Sequence, residues 1–192
     1  ASSASRHEPT SQDVGFSHFA SAGDPRLTTW AREGMVVAAT SFFLTWTTYG
    51  TWLHGDVRGS VDDAHNTVGH PVAGPDVSRL ALNQHKLSEA AFKLDSKARE
   101  VVRTSILATA QIRGWKVDAL HVGANHVHVV VDAPDVLPEV AAKSLKSWAT
   151  RALRDAGLLE GRTRVWTKRA STRYLNTDRS KAAAIDYVRR FQ

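Results

Sequence analysis

The chain has 192 residues, no cysteine, 42% hydrophobic residues and a net charge of +6. That length allows one domain with a sizeable core plus an extension. The lack of cysteine excludes disulfides and thiolate metal sites, and no run approaches the roughly 18 apolar residues of a membrane span. The charge is unevenly spread: residues 1–100 carry 9 Lys and Arg against 11 Asp and Glu, residues 101–192 carry 16 against 8. A basic second half suits a polyanion such as nucleic acid, and a merely solvated basic face would give the same balance.

Residues 1–34 are rich in Ser, Ala, Gly, Thr and His without apolar periodicity, and they read as a flexible extension. Met35, the single methionine, directly precedes the hydrophobic run. Translation starting there and a native extension that docks on the domain both account for it. No secretory leader pattern is evident, which points to the cytoplasm. Residues 35–192 then form the domain. Val36–Tyr49 is dense in β-branched and aromatic residues and predicts a strand. A glycine-punctuated stretch follows, and residues of about 50–80 predict a long loop.

Gln84–Phe92 predicts a short helix. Ser96–Arg113 predicts a clear one, with Ser96 as N-cap, Val102, Ile106 and Thr109 at helical spacing and Gly114 as its stop. Trp115–Val122 alternates like a strand, and Gly123-Ala124-Asn125 turns into a second strand ending at Asp132. An amphipathic helix is expected over 138–156, closed by Gly157. Arg164–Trp166 and Thr172–Leu175 predict short strands, and a last helix begins near Asp178 as N-cap. The order β-α-β-β-α-β-α implies an α+β fold, an antiparallel ferredoxin-like or RRM-like sheet with helices packed on one face and a C-terminal helix added.

The segment HVGANHVHVVVD, residues 121–132, carries the most chemistry. On a strand, His126 and His128 share a face while Val127, Val129 and Val131 take the other. Two neutral imidazoles suit a divalent metal if oxygen donors complete its shell; two half-exposed structural histidines would leave the same pattern. A two-residue hairpin loop would place His121 opposite His126 on that face, and a three-residue loop would turn it away. A histidine-triad pattern, HxHxH, fails because its third position is Val130. On the last helix, Tyr187 and Gln192 could reach one end of a site, although Ala184, Tyr187 and Phe191 also fall at the spacing of a core stripe.

Five ordered blocks, FLTWTTYGTWLHGD, NHVHVVVDAP, KSWATRALRDAGL, VWTKRASTRYLN and AIDYVRRFQ, resemble those of the single-tyrosine HUH transposases. The branch is the one related to REP-associated tyrosine transposases, of the IS200-like superfamily, and the resemblance spans about residues 40–192. It implies an HUH endonuclease fold. It further implies Mg²⁺ or Mn²⁺ on His126 and His128, Tyr187 as nucleophile, and cleavage of single-stranded DNA beside hairpins through a 5′-phosphotyrosine with a free 3′-hydroxyl. In many relatives a third ligand lies four residues after the tyrosine. Phe191 stands there, so Gln192 is the nearest amide, with His121 or water as alternatives. In that setting Lys143, Lys146, Arg151, Arg154, Lys168 and Arg169 could track the DNA backbone, and Trp46, Tyr49 and Trp52 could stack bases; a solvated helix face for the lysines and a core position for Trp46 are the alternatives. Relatives include homodimers and monomers, with the tyrosine acting in trans or in cis. A module of the same fold that binds single strands without chemistry is the competing expectation.

Overall fold

A computed structural model describes residues 40–59 and 73–190. The expected extension over 1–34, the ligand candidate Gln192 and residues 60–72 of the loop expected over 50–80 lie outside the described residues. The elements run β1 (Ser41–Thr47), α1 (Val77–His85), α2 (Ser96–Ile112), β2 (Lys116–Val122), β3 (His126–Asp132), α3 (Pro138–Asp155), β4 (Ser171–Tyr174) and α4 (Asp178–Arg189). The strands form one antiparallel sheet in the order β2-β3-β1-β4. Setting α1 and α4 aside, this is the βαββαβ ferredoxin-like arrangement expected from the element order.

The strand pattern explains why the sheet is covered on both faces. In β1, Phe42, Leu44 and Trp46 alternate with Phe43, Thr45 and Thr47; in β3, Val127, Val129 and Val131 alternate with His126, His128 and Val130. The first sets meet α2 through Ala98, Val102 and Ile106, and α3 through Ala141, Leu145, Ala149 and Leu153. These residues form one continuous apolar core, in which full burial of each Leu, Ile or Phe contributes about 1.5–3 kcal/mol. On the other face Ala119, Val130 and Leu175 meet Ala184 and Val188 of α4, with Phe43 and Ile185 at the margin. The C-terminal helix therefore lies across the sheet from α2 and α3.

Local chemistry sets the ends of the helices. Asp95, not Ser96, caps α2, its carboxylate accepting from the Ala98 amide at 2.7 Å. Gly114 follows α2 at φ +68°, a left-handed conformation that glycine takes without penalty. Pro138 opens α3 at its first turn, where no amide partner is lost. Thr177, rather than Asp178, caps α4 in a reciprocal capping box with Ser180.

The short helix expected over Gln84–Phe92 is displaced: α1 ends at His85, and residues 86–95 are irregular. It starts after Asp76, which accepts from the Arg79 amide at 2.9 Å, inside the stretch expected to be loop. None of its residues is buried, so it has no apolar stripe to betray it. Gly55 packs against it so closely that a Cβ there would meet the Asp76 carbonyl oxygen at 2.3 Å and the Leu80 nitrogen at 2.6 Å. The strand expected over Arg164–Trp166 reduces to a single bridge between Trp166 and Thr48.

Candidate functional site

The second face of the sheet gathers three imidazoles and a phenol. The hairpin joining β2 to β3 pairs Val122 with Val127, and the Gly123 amide donates to the His126 carbonyl at 2.8 Å. The loop is thus two residues, Ala124-Asn125, and His121 stays on the face of the histidine pair. Its partner in register is His128, not His126, because each step back from the turn advances the pairing by one. The ring centroids lie 4.7 Å apart for His126–His128, 5.4 Å for His121–His126 and 6.4 Å for His121–His128.

Neighbouring side chains fix these rings. Asn125 Oδ1 accepts from His126 Nδ1 at 2.8 Å, and the Thr45 hydroxyl lies 2.8 Å from His128 Nδ1. A donor at His126 Nδ1 leaves the lone pair on Nε2, the arrangement by which outer partners orient a metal-binding imidazole. Gly123 makes room: a Cβ there would stand 2.9 Å from His126 Cε1 and 3.1 Å from His121 Nε2. Burial lowers the pKa of His128 to about 4, with help from the neighbouring His126 and His121. Burial also lowers those of His121 and His126; His126, Arg99 and Arg103 act further on His121, and Arg58 on His126. All three shifts favour the neutral imidazole, the form that can ligate a cation.

Tyr187 of α4 completes the group. Its ring meets that of His128 edge-on at 5.5 Å and that of Phe43 at 5.8 Å, while Phe43 and His128 are 5.6 Å apart. The residue remains 44% exposed, so it is not the core aromatic that its spacing also allowed. An ion cluster near the start of α4 holds the helix in place. Lys181 Nζ lies 2.6 and 2.9 Å from the Asp132 carboxylate and 2.7 Å from that of Asp118, and Ser41 donates to Asp132. Burial works against the Asp118 charge, but bonds from Lys181 and Lys116 keep its pKa below the usual value. Val130, the third position of the histidine-triad pattern, is buried under α4.

The expected nucleic-acid residues separate into groups. Lys143, Lys146, Lys168 and Arg169 line one groove between α3 and residues 163–172. Arg151 and Arg154 are exposed on α3 and do not line it; Arg151 lies over Trp148 at 5.4 Å and 4.0 Å from Asp155. Trp46 is 2% exposed within the core, so it has no face to offer a base, a correction to the stacking role expected of it. Tyr49 is tied by its hydroxyl to Ser88. Trp52 is 40% exposed, donates to the Gly59 carbonyl, and carries the Arg58 guanidinium 4.6 Å from its ring centre. Arg58 is in turn held by Asp56 and by the Thr51 carbonyl, and those bonds bring the Asp56 pKa down to about 2. Thr45, Arg58 and Lys181 had no signal of their own in the sequence, since each matters only through a partner that folding brings to it, while Gly123 and Asn125 were legible only as a turn.

Among the described residues no group of three His, Cys, Asp or Glu is arranged to hold a metal ion. His126 and His128 offer at most two nitrogen donors, so a divalent cation there would need oxygen donors to complete its shell. No described helix is long and apolar enough to cross a membrane.

Among solved structures the chain is similar to a REP-associated tyrosine transposase bound to a REP hairpin, at 14% identity and a TM-score of 0.43, over 79% of this chain and 66% of that one. It is also similar to a candidate transposase from Deinococcus radiodurans R1, at 15% identity and a TM-score of 0.45, over 83% and 95% of the two chains. The chain thus spans just under two thirds of the first of these. No family model matches, and neither does any curated protein.

Proposed function

We propose that the chain is a metal-dependent single-stranded DNA endonuclease and strand transferase of the single-tyrosine HUH type, with Tyr187 as nucleophile and His126 and His128 as metal ligands. One observation carries the reading: the tyrosine of the last helix and the histidine pair of β3 converge on one sheet face, with the Tyr187 and His128 rings 5.5 Å apart. The five sequence blocks that resemble this family support it from a separate direction.

The chemistry follows from these groups. The Tyr187 hydroxyl oxygen attacks a DNA phosphorus in line, and the phosphorus–O3′ bond breaks. The leaving oxygen takes a proton as a 3′-hydroxyl, and a 5′-phosphotyrosine remains. Attack of a 3′-hydroxyl on that linkage reverses the step or transfers the strand. A bound Mg²⁺ or Mn²⁺ ion supplies neutralisation of the non-bridging oxygens. His126 and His128, oriented by Asn125 and Thr45, would hold that ion, with Gln192, His121 or water as its further ligand, while Phe43 and His128 support the tyrosine ring.

The test incubates the protein with Mn²⁺ and a labelled single strand containing a hairpin, then looks for a denaturant-stable adduct mapped to Tyr187. Tyr187→Phe is expected to abolish the adduct and leave DNA binding within about twofold, since only a hydroxyl is removed. Adduct formation by that variant would overturn the assignment. Metal-independent binding with no adduct from the wild type would mark a binding module that lacks the chemistry.

A further inference from the structure

Beside the β4 edge, α3 and residues 163–172 enclose a groove of about 700 Å³. Five cations line it, Lys143, Lys146, Arg164, Lys168 and Arg169, against one carboxylate, Glu139. That carboxylate accepts from the Thr172 hydroxyl at 2.8 Å, which spends part of its hydrogen-bonding capacity.

The walls are braced to each other. Lys146 Nζ donates to the Thr167 carbonyl at 2.7 Å and to the Lys168 carbonyl at 3.3 Å. Trp166 Nε1 donates back to the Lys146 carbonyl at 3.1 Å and to the Thr150 hydroxyl at 2.9 Å. At the far end Glu89 accepts from the amides of Thr163 and Arg164. The groove walls are therefore braced, and Lys146 is placed before any ligand arrives. Burial of Lys146 depresses its pKa to about 8, so an anion nearby would recover charge that desolvation now penalises.

The groove also connects to the site. Ser171 of β4 pairs with Thr45 of β1, and Thr45 pairs with His128 of β3. Ser171 stands two strand spacings from His128, roughly 10 Å, and its neighbours Ala170 and Thr172 both line the groove. A single strand leaving the histidine pair would reach the β4 edge in about three nucleotides at a stacked rise of 3.4 Å, and the groove begins on the far side of that edge.

Resting on the function proposed above, we infer that this groove is the seat for the phosphate backbone of the single strand flanking the cleaved bond, with Lys143 and Lys168 as its outer phosphate contacts. The spread of five cations along the groove favours an extended polyanion over a single phosphate, which could reach only part of it.

The experiment measures anisotropy of a fluorescent oligonucleotide against salt, using the full chain as Tyr187→Phe so that no covalent product forms. The double variant Lys143→Ala with Lys168→Ala is expected to reduce the salt slope by about 1.4, at 0.7 per phosphate contact on a single strand. Referenced to equal affinity at 1 M salt, that is a loss of about 25-fold at 0.1 M. Arg151→Ala with Arg154→Ala, on the same helix outside the groove, is expected to change the slope far less. An equal loss from both pairs, or none from the first, would overturn the proposal. So would competition by inorganic phosphate at oligonucleotide-like concentrations, which would mark a small-anion site. Adduct formation is measured separately on the wild type. Loss of slope in the groove pair alone supports the groove, whereas a wild type without any adduct defeats the nuclease reading and leaves the slope comparison standing.

Discussion

The two faces of one sheet are built on different principles. Towards α2 and α3 the strands present Phe42, Leu44, Trp46, Val127, Val129 and Val131, and nearly everything that meets them is aliphatic or aromatic. Towards α4 the apolar contact shrinks to Ala119, Val130, Leu175, Ala184 and Val188, and the remainder is histidine, tyrosine and the Lys181 carboxylate cluster. The first face carries most of the apolar packing, and the second carries the polar groups of the proposed site. α4 pays for that with a shallow apolar footing, and it leans on ionic contacts to keep Tyr187 over His128.

Substitutions should separate the faces. Leu145→Ala, in the centre of the α3 contact, is expected to cost about 2–5 kcal/mol of global stability and to leave the metal seat intact once folded. Urea unfolding would show the loss, and an undiminished midpoint would break the division. Lys181→Met leaves Asp118 and Asp132 without their shared cation, and an expected cost of about 1–3 kcal/mol follows from losing bonds to charged partners. That cost should concentrate in α4. Amide hydrogen exchange is expected to quicken in α4 while α2 and α3 stay protected, and uniform quickening would mean that α4 is part of the main cooperative unit.

Smaller effects are expected from the groups that aim the imidazoles. Thr45→Val removes the hydroxyl beside His128 Nδ1, and Gly123→Ala drives a methyl against His126 and His121. Each is expected to weaken Mn²⁺ binding by about 10–100-fold, the usual effect of losing an outer partner, with little change in the unfolding midpoint. Titration calorimetry would check it, and unchanged affinity would mean that the strand alone orients the rings.

The mildest prediction concerns pH. Lys146 has a folded pKa lowered to about 8 from 10.5 by burial. Between those values the unfolded chain binds more protons than the folded one, so this group's contribution to stability rises with pH and is lost as pH falls through 8. DNA affinity should move the opposite way, declining a few-fold above pH 8 as the charge leaves. Lys146→Met is expected to flatten both trends.

Much of this was legible in the chain. The period-two alternation of β1 and β3 gave the sheet, and the valines of β3 told which face the histidines avoid. The periodic runs of α2 and α3 gave the helices that cover it. What escaped depends on pairing across the fold. Thr45 reaches His128 only through the β1–β3 register, Lys181 reaches Asp132 and Asp118 only once α4 lies on the sheet, and α1 escaped because it buries nothing. His121 was ambiguous for a similar reason. A one-residue difference in the hairpin decides its face, and local composition does not count loop residues.

The break in register between Val117 and Ala119 has a consequence of its own. Strict alternation through VDALHV would put Val117 and Leu120 on opposite faces, yet both pack into the α2–α3 core. Asp118 is the supernumerary residue of a bulge, inserted so that the phase is reset before His121. Excising it would bring Val117 and Leu120 into ordinary alternation with every other side chain of β2 still facing as before. β2 therefore contains a point where the chain can change length by one without scrambling the sheet. A relative that lacks this residue would keep its histidine in place and give up only the carboxylate.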